Sequence, residues 1–147
     1  MNLDTDRAGF LVTFSANDLE ARDGICAIAV QLRQQGISEE RTGDVEIALA
    51  EAINNVVEHA YAGVESGRIH VTCHLRADRL EIRIHDRGRP MPGGDLPNGE
   101  PAEPADLPEG GFGWFLIRQL ASEIRYERRG DKNLLWLRFD LPEKPDA

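Results

Sequence analysis

The sequence has 147 residues, 41% of them hydrophobic, and a formal net charge of -9 at pH 7. This predicts one domain with an apolar core, and the acidic charge disfavours direct contact with nucleic acid because phosphate carries the same sign. We expect a cytoplasmic protein, since no long apolar run marks a membrane span and no basic-then-apolar start marks a secretory signal. Cys26 and Cys73 match no metal or redox spacing and are interpreted as buried apolar thiols.

The first half of the chain predicts one strand followed by two helices. Residues 9–14, GFLVTF, are typical of a strand, and residues 17–36 predict a helix that ends at Gly36. A second helix is predicted from Ser38 to Tyr61. Its apolar face consists of Val45, Leu49, Ala52, Ile53, Val56 and Ala60.

The second half predicts two hairpins separated by a long loop and a helix. Residues 68–75 and 79–86 alternate in polarity and predict a hairpin, with Ile69, Val71, Cys73 and Leu75 on one face. Residues 90–111 hold six of the eight prolines and five glycines but no Lys or Arg, so they form a loop. The chain is completed by a helix at residues 112–124 and a hairpin at residues 125–129 and 133–141.

Helices that interrupt mostly hairpin-joined strands predict an α+β fold. We expect a two-layer α/β sandwich in which the helices cover one face of a mixed sheet. A loop as long as residues 90–111 is usually a lid or a binding loop in a compact domain.

Two consecutive asparagines, Asn54 and Asn55, stand in the middle of the second helix, although asparagine is an indifferent helix former. Glu51 and Asn55 are one turn apart, with Glu58 on the same face. An amide oxygen is a suitable ligand for Mg²⁺, and a carboxylate can orient or deprotonate a nucleophile. A solvated helix face explains the same spacing, so this helix alone leaves both interpretations open.

Two further stretches favour a nucleotide site. A predicted strand ends in Asp86, and Gly88 allows a ligand to approach the backbone. Gly110, Gly111 and Gly113 precede a helix whose free N–H groups can hold phosphate. Each feature alone is as often a turn or a cap.

Taken in order, EAINN in a helix, DRG after a strand and GGFG opening a helix resemble the N, G1 and G2 boxes of the GHKL ATPases. Within that superfamily, AEAINNVVEHAY, DRGRP and GGFGWFLIRQL resemble the anti-sigma-factor serine/threonine kinases of bacterial partner-switching systems. The resemblance covers roughly residues 9–141. It implies a Bergerat-type fold, with residues 1–147 as a single histidine-kinase-like ATPase domain and an ATP lid at about residues 89–111.

The resemblance implies ATP and Mg²⁺ as cofactors and assigns roles on the second helix. Glu51 falls on the acid that activates the nucleophile, and Asn55 on the residue that ligates Mg²⁺. Asn54 has no such role, and we expect it to pack at the rim of the site. His59 is placed to face the phosphates, although a neutral histidine packed at the helix end explains it equally well.

The resemblance also assigns the nucleotide-binding residues outside that helix. Asp86 falls on the aspartate that accepts a hydrogen bond from the adenine amino group, and Gly88 lets the base approach. Gly111 and Gly113 fall on the glycines near the phosphates.

The implied reaction is transfer of the ATP γ-phosphoryl group to a serine or threonine of an anti-anti-sigma protein with a STAS domain. The implied partners are that protein, a sigma factor or other regulated protein that the chain sequesters, and a second copy in a homodimer. Pro90 departs from the pattern, because many superfamily members carry a second glycine there. The predicted lid also lacks a basic residue, so a cation for the terminal phosphates must come from Arg87, Arg89 or Arg118, or be absent.

An alternative follows from that lid: a nucleotide-responsive sequestering module with little or no phosphotransfer. A detached histidine-kinase catalytic domain is disfavoured, because only about eight residues precede the first predicted strand and leave no room for a phosphoacceptor helix pair.

Overall fold

The computed structural model describes residues 6–60, 67–91 and 111–141. In this part of the chain, three α-helices cover one face of a five-stranded sheet, which confirms the two-layer α+β architecture. The helices are α1 (Asp18–Gln34), α2 (Glu39–Asn55) and α3 (Gly111–Leu120). The strands are β1 (Asp6–Ser15), β2 (Arg68–Arg76), β3 (Arg79–Asp86), β4 (Glu123–Arg129) and β5 (Lys132–Asp140).

The sheet has the order β1-β2-β3-β5-β4, and all four neighbouring pairs are antiparallel. The expectation of a mixed sheet is therefore wrong for the described strands. After the crossover through α3, β4 runs in the same direction as β3, but β5 lies between them. The two parallel strands thus share no hydrogen bonds, and each pairs with β5 instead.

The starts of the first two helices follow from side-chain caps. Asn17 Oδ1 accepts a hydrogen bond from Glu20 N at 2.9 Å at the start of α1, and Ser38 Oγ accepts one from Arg41 N at 3.1 Å at the start of α2. Gly36 follows α1 with a φ of 93°, a left-handed conformation that glycine adopts without strain. The predicted boundaries between residues 17 and 38 are confirmed.

The end of the second helix differs from the prediction. The α-helical part of α2 ends at Asn55, and a π-helical turn, Val56–Ala60, continues it. Asn55 Nδ2 donates a hydrogen bond to Glu51 O at 2.8 Å. This backbone carbonyl thus receives a side-chain donor in the last turn before the α-helix changes to a π-helix. Isolated π-helical turns occur frequently at functional sites. Tyr61 lies outside the described residues.

The core lies between the sheet and the helices, as the apolar patterns predicted. The predicted apolar face of β2 is buried, as are the residues of the α2 stripe up to Val56; the side chain of Ala60 lies outside the described part. Burial raises the pKa of the Cys73 thiol to about 12, so this thiol stays protonated. Cys26, in contrast, is exposed, and the expectation of a buried thiol is wrong there because it lies in the groove between α1 and α2.

The third helix is shorter than predicted, because its expected last residues join the sheet. Ser122 N donates a hydrogen bond to Arg138 O at 2.6 Å, and Glu123 and Ile124 pair with β5 as part of β4. Tertiary pairing here overrides local helix propensity. Among the described helices, none is both long and apolar enough to cross a membrane.

Candidate functional site

The first turn of α3 meets α2 at Gly113, where an added Cβ atom would displace the end of the Glu51 side chain. A Cβ atom on residue 113 would lie 2.7 Å from Glu51 Oε1 and 3.5 Å from Asn55 Nδ2. Carbon atoms do not approach oxygen this closely without displacing it. The structure thus brings Glu51, Asn55 and Gly113 together, although they are separated by about sixty residues in sequence.

Asp86 is a buried carboxylate at the end of β3, with 4% of its surface exposed. Its Oδ1 atom accepts hydrogen bonds from Gly88 N at 2.8 Å and from Asn133 Nδ2 at 2.9 Å. Within the described residues Oδ2 has no hydrogen-bond donor, so it can accept one from a ligand. Burial raises the pKa of Asp86 above its usual value, and the hydrogen bonds from Asn133 and Gly88 partly offset this effect.

Asn133 holds the turn after Asp86 and was missed by the sequence analysis. Its Nδ2 also donates to Arg89 O at 2.9 Å, and its Oδ1 accepts hydrogen bonds from Tyr126 Oη and Arg128 Nη1. Tyr126 Oη in turn accepts a hydrogen bond from Met91 N. A polar residue at the first inward position of an otherwise apolar strand was the available signal, since the later inward positions of β5 are Leu135, Leu137 and Phe139.

A cleft between the two layers connects Asn55 with Asp86. It is lined by Asn55, Val56, Asp86, Arg89, Pro90, Met91, Tyr126, Asn133 and Leu135. A carboxylate acceptor between apolar walls suits a purine that carries an amino group. The free volume is about 30 Å³, room for no more than about two water molecules, so a purine has to widen the cleft on entering.

The predicted arginines and Asn54 lie in different parts of the structure, and only one of them lines this cleft. Of the three arginines proposed as phosphate contacts, Arg89 lines the cleft, Arg87 lines a pocket on the opposite face of the sheet, and Arg118 is exposed on α3. Asn54 is exposed and lines the groove between α1 and α2.

Two predicted site residues have only their backbone described. His59 lies in the π-helical turn, and its side chain is outside the described part. Gly111 is the first residue of α3. Most of the predicted lid, residues 92–110, is also outside the described part.

Comparison with known proteins places this site in a family. The sequence profile of the histidine kinase-like ATPase domain matches residues 15–139. The chain belongs to this family. The resemblance inferred from the three motifs is thus confirmed at the level of the ATPase domain, which is a nucleotide-binding unit.

Curated relatives of this ATPase domain include two named serine-protein kinase RsbW. The protein from Oceanobacillus iheyensis is 34% identical over 121 residues, covering 77% of this chain and 75% of that protein. The protein from Listeria innocua is 39% identical over 97 residues, covering 61% of this chain and 60% of that protein. This chain therefore matches less than two thirds of the length of the listerial relative.

A solved structure supports the fold of the ATPase domain. The RsbU and RsbW domains of a Mycobacterium tuberculosis protein superpose with a TM-score of 0.66 at 21% identity, covering 96% of this chain and 35% of that one. At this identity the likeness concerns the fold.

Substitution of Gly113 tests the contact between α3 and α2. We predict that Gly113→Ala leaves the ATPase domain folded but lowers ATP turnover by about 10²-fold, because the new methyl group displaces the Glu51 carboxylate. The side chain of Glu51 can rotate away, so thermal stability should not fall. Gly43→Ala is the matched control: Gly43 also lies in a helix, but no atom lies within 4 Å of its added Cβ. Full turnover by folded Gly113→Ala would contradict the importance of this contact.

Substitution of Asp86 tests the buried carboxylate. In Asp86→Asn, the amide oxygen can still accept from Gly88 and Asn133, whereas a donor replaces Oδ2. We predict that ATP binding weakens by about 1–3 kcal/mol, measured by calorimetry. In the wild type, binding should also weaken as pH falls through the raised pKa of Asp86, because a protonated carboxyl loses this acceptor. Asp140→Asn, at an exposed end of β5, should bind ATP normally; equal affinities for all three proteins would remove the adenine assignment.

Proposed function

We propose that this protein is an ATP-dependent serine/threonine kinase of a bacterial partner-switching system. It phosphorylates a STAS-domain anti-anti-sigma protein and sequesters a sigma factor or other regulated protein. The observation that carries the proposal is the convergence of Glu51, Asn55 and Gly113 beside the cleft that holds Asp86. The name serine-protein kinase, carried by the curated relatives, supports it.

Asn55 fits the role of a cation ligand because of how its side chain is held. The Glu51 backbone carbonyl can only accept a hydrogen bond, so the Asn55 amide must turn its donor, Nδ2, towards that carbonyl. Oδ1 has no hydrogen-bond donor within the described residues and is left for a cation. Mg²⁺ bound there through the ATP phosphates would neutralise charge on the transferred group. The described residues contain no group of three or more His, Cys, Asp or Glu side chains that could hold a metal ion, so phosphates and water would complete its coordination.

Glu51 is positioned to accept the proton of an incoming hydroxyl. Its carboxylate touches the glycine position of α3 and also lines a groove of about 520 Å³ between α1 and α2. A serine entering by this groove would reach Glu51 beside the phosphate site. As its Oγ bonds to the γ-phosphorus, the hydroxyl proton passes to the carboxylate and the bond to ADP breaks.

The nucleotide is held by Asp86 and the apolar walls of the cleft. Asp86 Oδ2 would accept from the adenine amino group, while Val56, Met91 and Leu135 contact the ring. Gly111 and Gly113 open α3, where free backbone N–H groups favour phosphate. The assignment of residues 1–147 to a single domain and of residues 89–111 to an ATP lid stays a prediction.

A sequestering module with little phosphotransfer is the second candidate. It is favoured by the distribution of arginines, because Arg89 lines the cleft while Arg87 and Arg118 do not. Within the described residues, Arg89 is the only cationic side chain that lines the cleft, which would support nucleotide binding more readily than catalysis.

We predict different losses for the two residues of the helix face. Glu51→Ala should retain ATP binding and lose about 10²-fold or more of phosphotransfer, since only the proton acceptor is removed. Asn55→Ala should lose both, because Mg-ATP is then held more weakly. The control is Glu40→Ala, an exposed residue in the first turn of the same helix that lines neither the groove nor the cleft and should lose neither. Transfer is measured with labelled ATP and candidate STAS proteins encoded nearby.

The outcomes of that experiment separate the two candidates. If the wild type binds Mg-ATP and its partner but never phosphorylates it, the kinase proposal fails and the sequestering module replaces it. If none of the substitutions changes binding or transfer, the assignment of Glu51 and Asn55 is wrong.

We also propose that the protein is a homodimer, in keeping with the family resemblance. The acidic charge of -9 favours a basic partner surface on the sequestered protein. Light scattering at high protein concentration, with and without ATP, should give twice the monomer mass of 16.4 kDa. A monomer under both conditions would contradict this proposal.

A further inference from the structure

A second pocket lies on the outer face of the sheet, the face turned away from the helices. Its volume is about 510 Å³, and we call it the outer-face pocket. Its lining residues are Leu11, Gly67, Arg68, His70, His85, Asp86, Arg87 and Lys132. Five of these side chains are cationic or can become so, in a chain whose net charge is -9.

The strand register places these five basic side chains in two rows across the sheet. His70 on β2 and His85 on β3 are direct cross-strand partners. Continuing the same registers by two residues brings Arg68, Arg87 and Lys132 side by side at the strand ends. Thr13 Oγ1, on β1, lies 3.2 Å from His70 Nδ1 and extends the histidine row to the sheet edge.

Little negative charge within the described residues balances this cluster. Arg68 and Lys132 form no ion pair there, and Arg87 contacts the exposed Asp131 at 3.9 Å. Asp86 uses Oδ1 on the other side of the sheet, for Gly88 and Asn133. Glu20 interacts electrostatically with Arg68, and like charges placed opposite each other on a sheet are destabilising, so an anion bound among these side chains would be attracted.

We propose that the outer-face pocket binds a doubly charged oxyanion, either inorganic phosphate or a phosphate monoester. One guanidinium group can donate two parallel hydrogen bonds to two oxygens of such an anion, and imidazole and ammonium groups add further donors. A single carboxylate would leave most of these donors unused. Asp86 borders both this site and the nucleotide cleft, but the basic side chains lie on the outer face, and the inference does not rest on the kinase proposal.

His85 makes this binding sensitive to pH. Burial, followed by the positive charges of Arg83, His70 and Lys132, lowers the pKa of His85 below its usual value, and Asp86 partly opposes this. A bound anion favours the protonated form, so binding and proton uptake support each other. The charged or titratable groups around His85 within the described residues are Arg68 and His70 on β2, Arg83, Asp86 and Arg87 at β3, and Asp131 and Lys132 at β5.

The test uses the full chain, with sulfate as a dianion that does not titrate near neutrality. At constant ionic strength, NMR signals of the His70 and His85 rings should shift saturably with sulfate. Binding should tighten as the pH is lowered past the ordinary histidine value of about 6.5, because the pKa of His85 lies below that value. Linear, non-saturating shifts would overturn the proposal.

Charge-removing substitutions locate the binding site. Arg68→Gln and Lys132→Gln should each weaken binding by about tenfold. Arg125→Gln is the matched control, because Arg125 lies on the same sheet face but stacks on Trp136 outside the pocket, 5.0 Å from the ring centre. Equal weakening by all three would show that general surface charge attracts the anion, and the proposal would fail.

A second arm separates the two sources of phosphate. A phosphoserine peptide and its unphosphorylated form are titrated against the same histidine signals. Saturation by inorganic phosphate and phosphopeptide alike indicates a free-anion site, whereas saturation by the phosphopeptide alone indicates a phosphorylated protein residue. A response to both peptide forms alike, without a response to phosphate, would contradict an oxyanion site.

Discussion

The close contact between α3 and α2 at Gly113 is the constraint on which the candidate site depends. Helix α2 is held on two sides, because its apolar stripe packs in the core while Glu51 and Asn55 face the first turn of α3. A side chain at residue 113 would push the Glu51 carboxylate aside, so glycine at this position lets that carboxylate lie against the first turn of α3. The carboxylate and carboxamide are thereby oriented before a ligand arrives, which is the arrangement that catalysis by positioning requires.

The strand side of the cleft is organised by a buried polar network instead. Asp86 is satisfied by Asn133, which is itself fixed by Tyr126 and Arg128. Leaving one member of such a network unpaired costs about 1–3 kcal/mol, so the members specify one another's positions. The result is a turn after β3 whose backbone is held by side chains from β4 and β5, with one carboxylate oxygen left for a ligand.

Local sequence signals predicted most elements, whereas long-range contacts decided the rest. The helix starts at Asn17 and Ser38 and the alternation along β2 depend on neighbouring residues, and these predictions are confirmed. The order of β5 between β3 and β4, and the early end of α3, depend on pairing between distant segments that periodicity does not report. Glu51 and Asn55 were recognisable as a pair one turn apart, but Asn133 gains its meaning only by lying opposite Asp86, 47 residues away.

Successive side chains of a strand point to opposite faces of the sheet, so the ends of β3 and β5 contribute to the cleft on one face and to the outer-face pocket on the other. Asp86 and Asn133 line the cleft, while their chain neighbours Arg87 and Lys132 line the outer-face pocket. The two sides also interact electrostatically, because the charge of His85 lowers the pKa of Asp86 and Asp86 raises that of His85. An anion held outside would oppose ionisation of Asp86, in the same direction as burial does, and a protonated carboxyl is a weaker acceptor for a ligand inside. Since coupling between two sites is reciprocal, a donor bound to Asp86 would equally weaken the hold on the anion, and the two ligands would oppose each other across one layer of sheet.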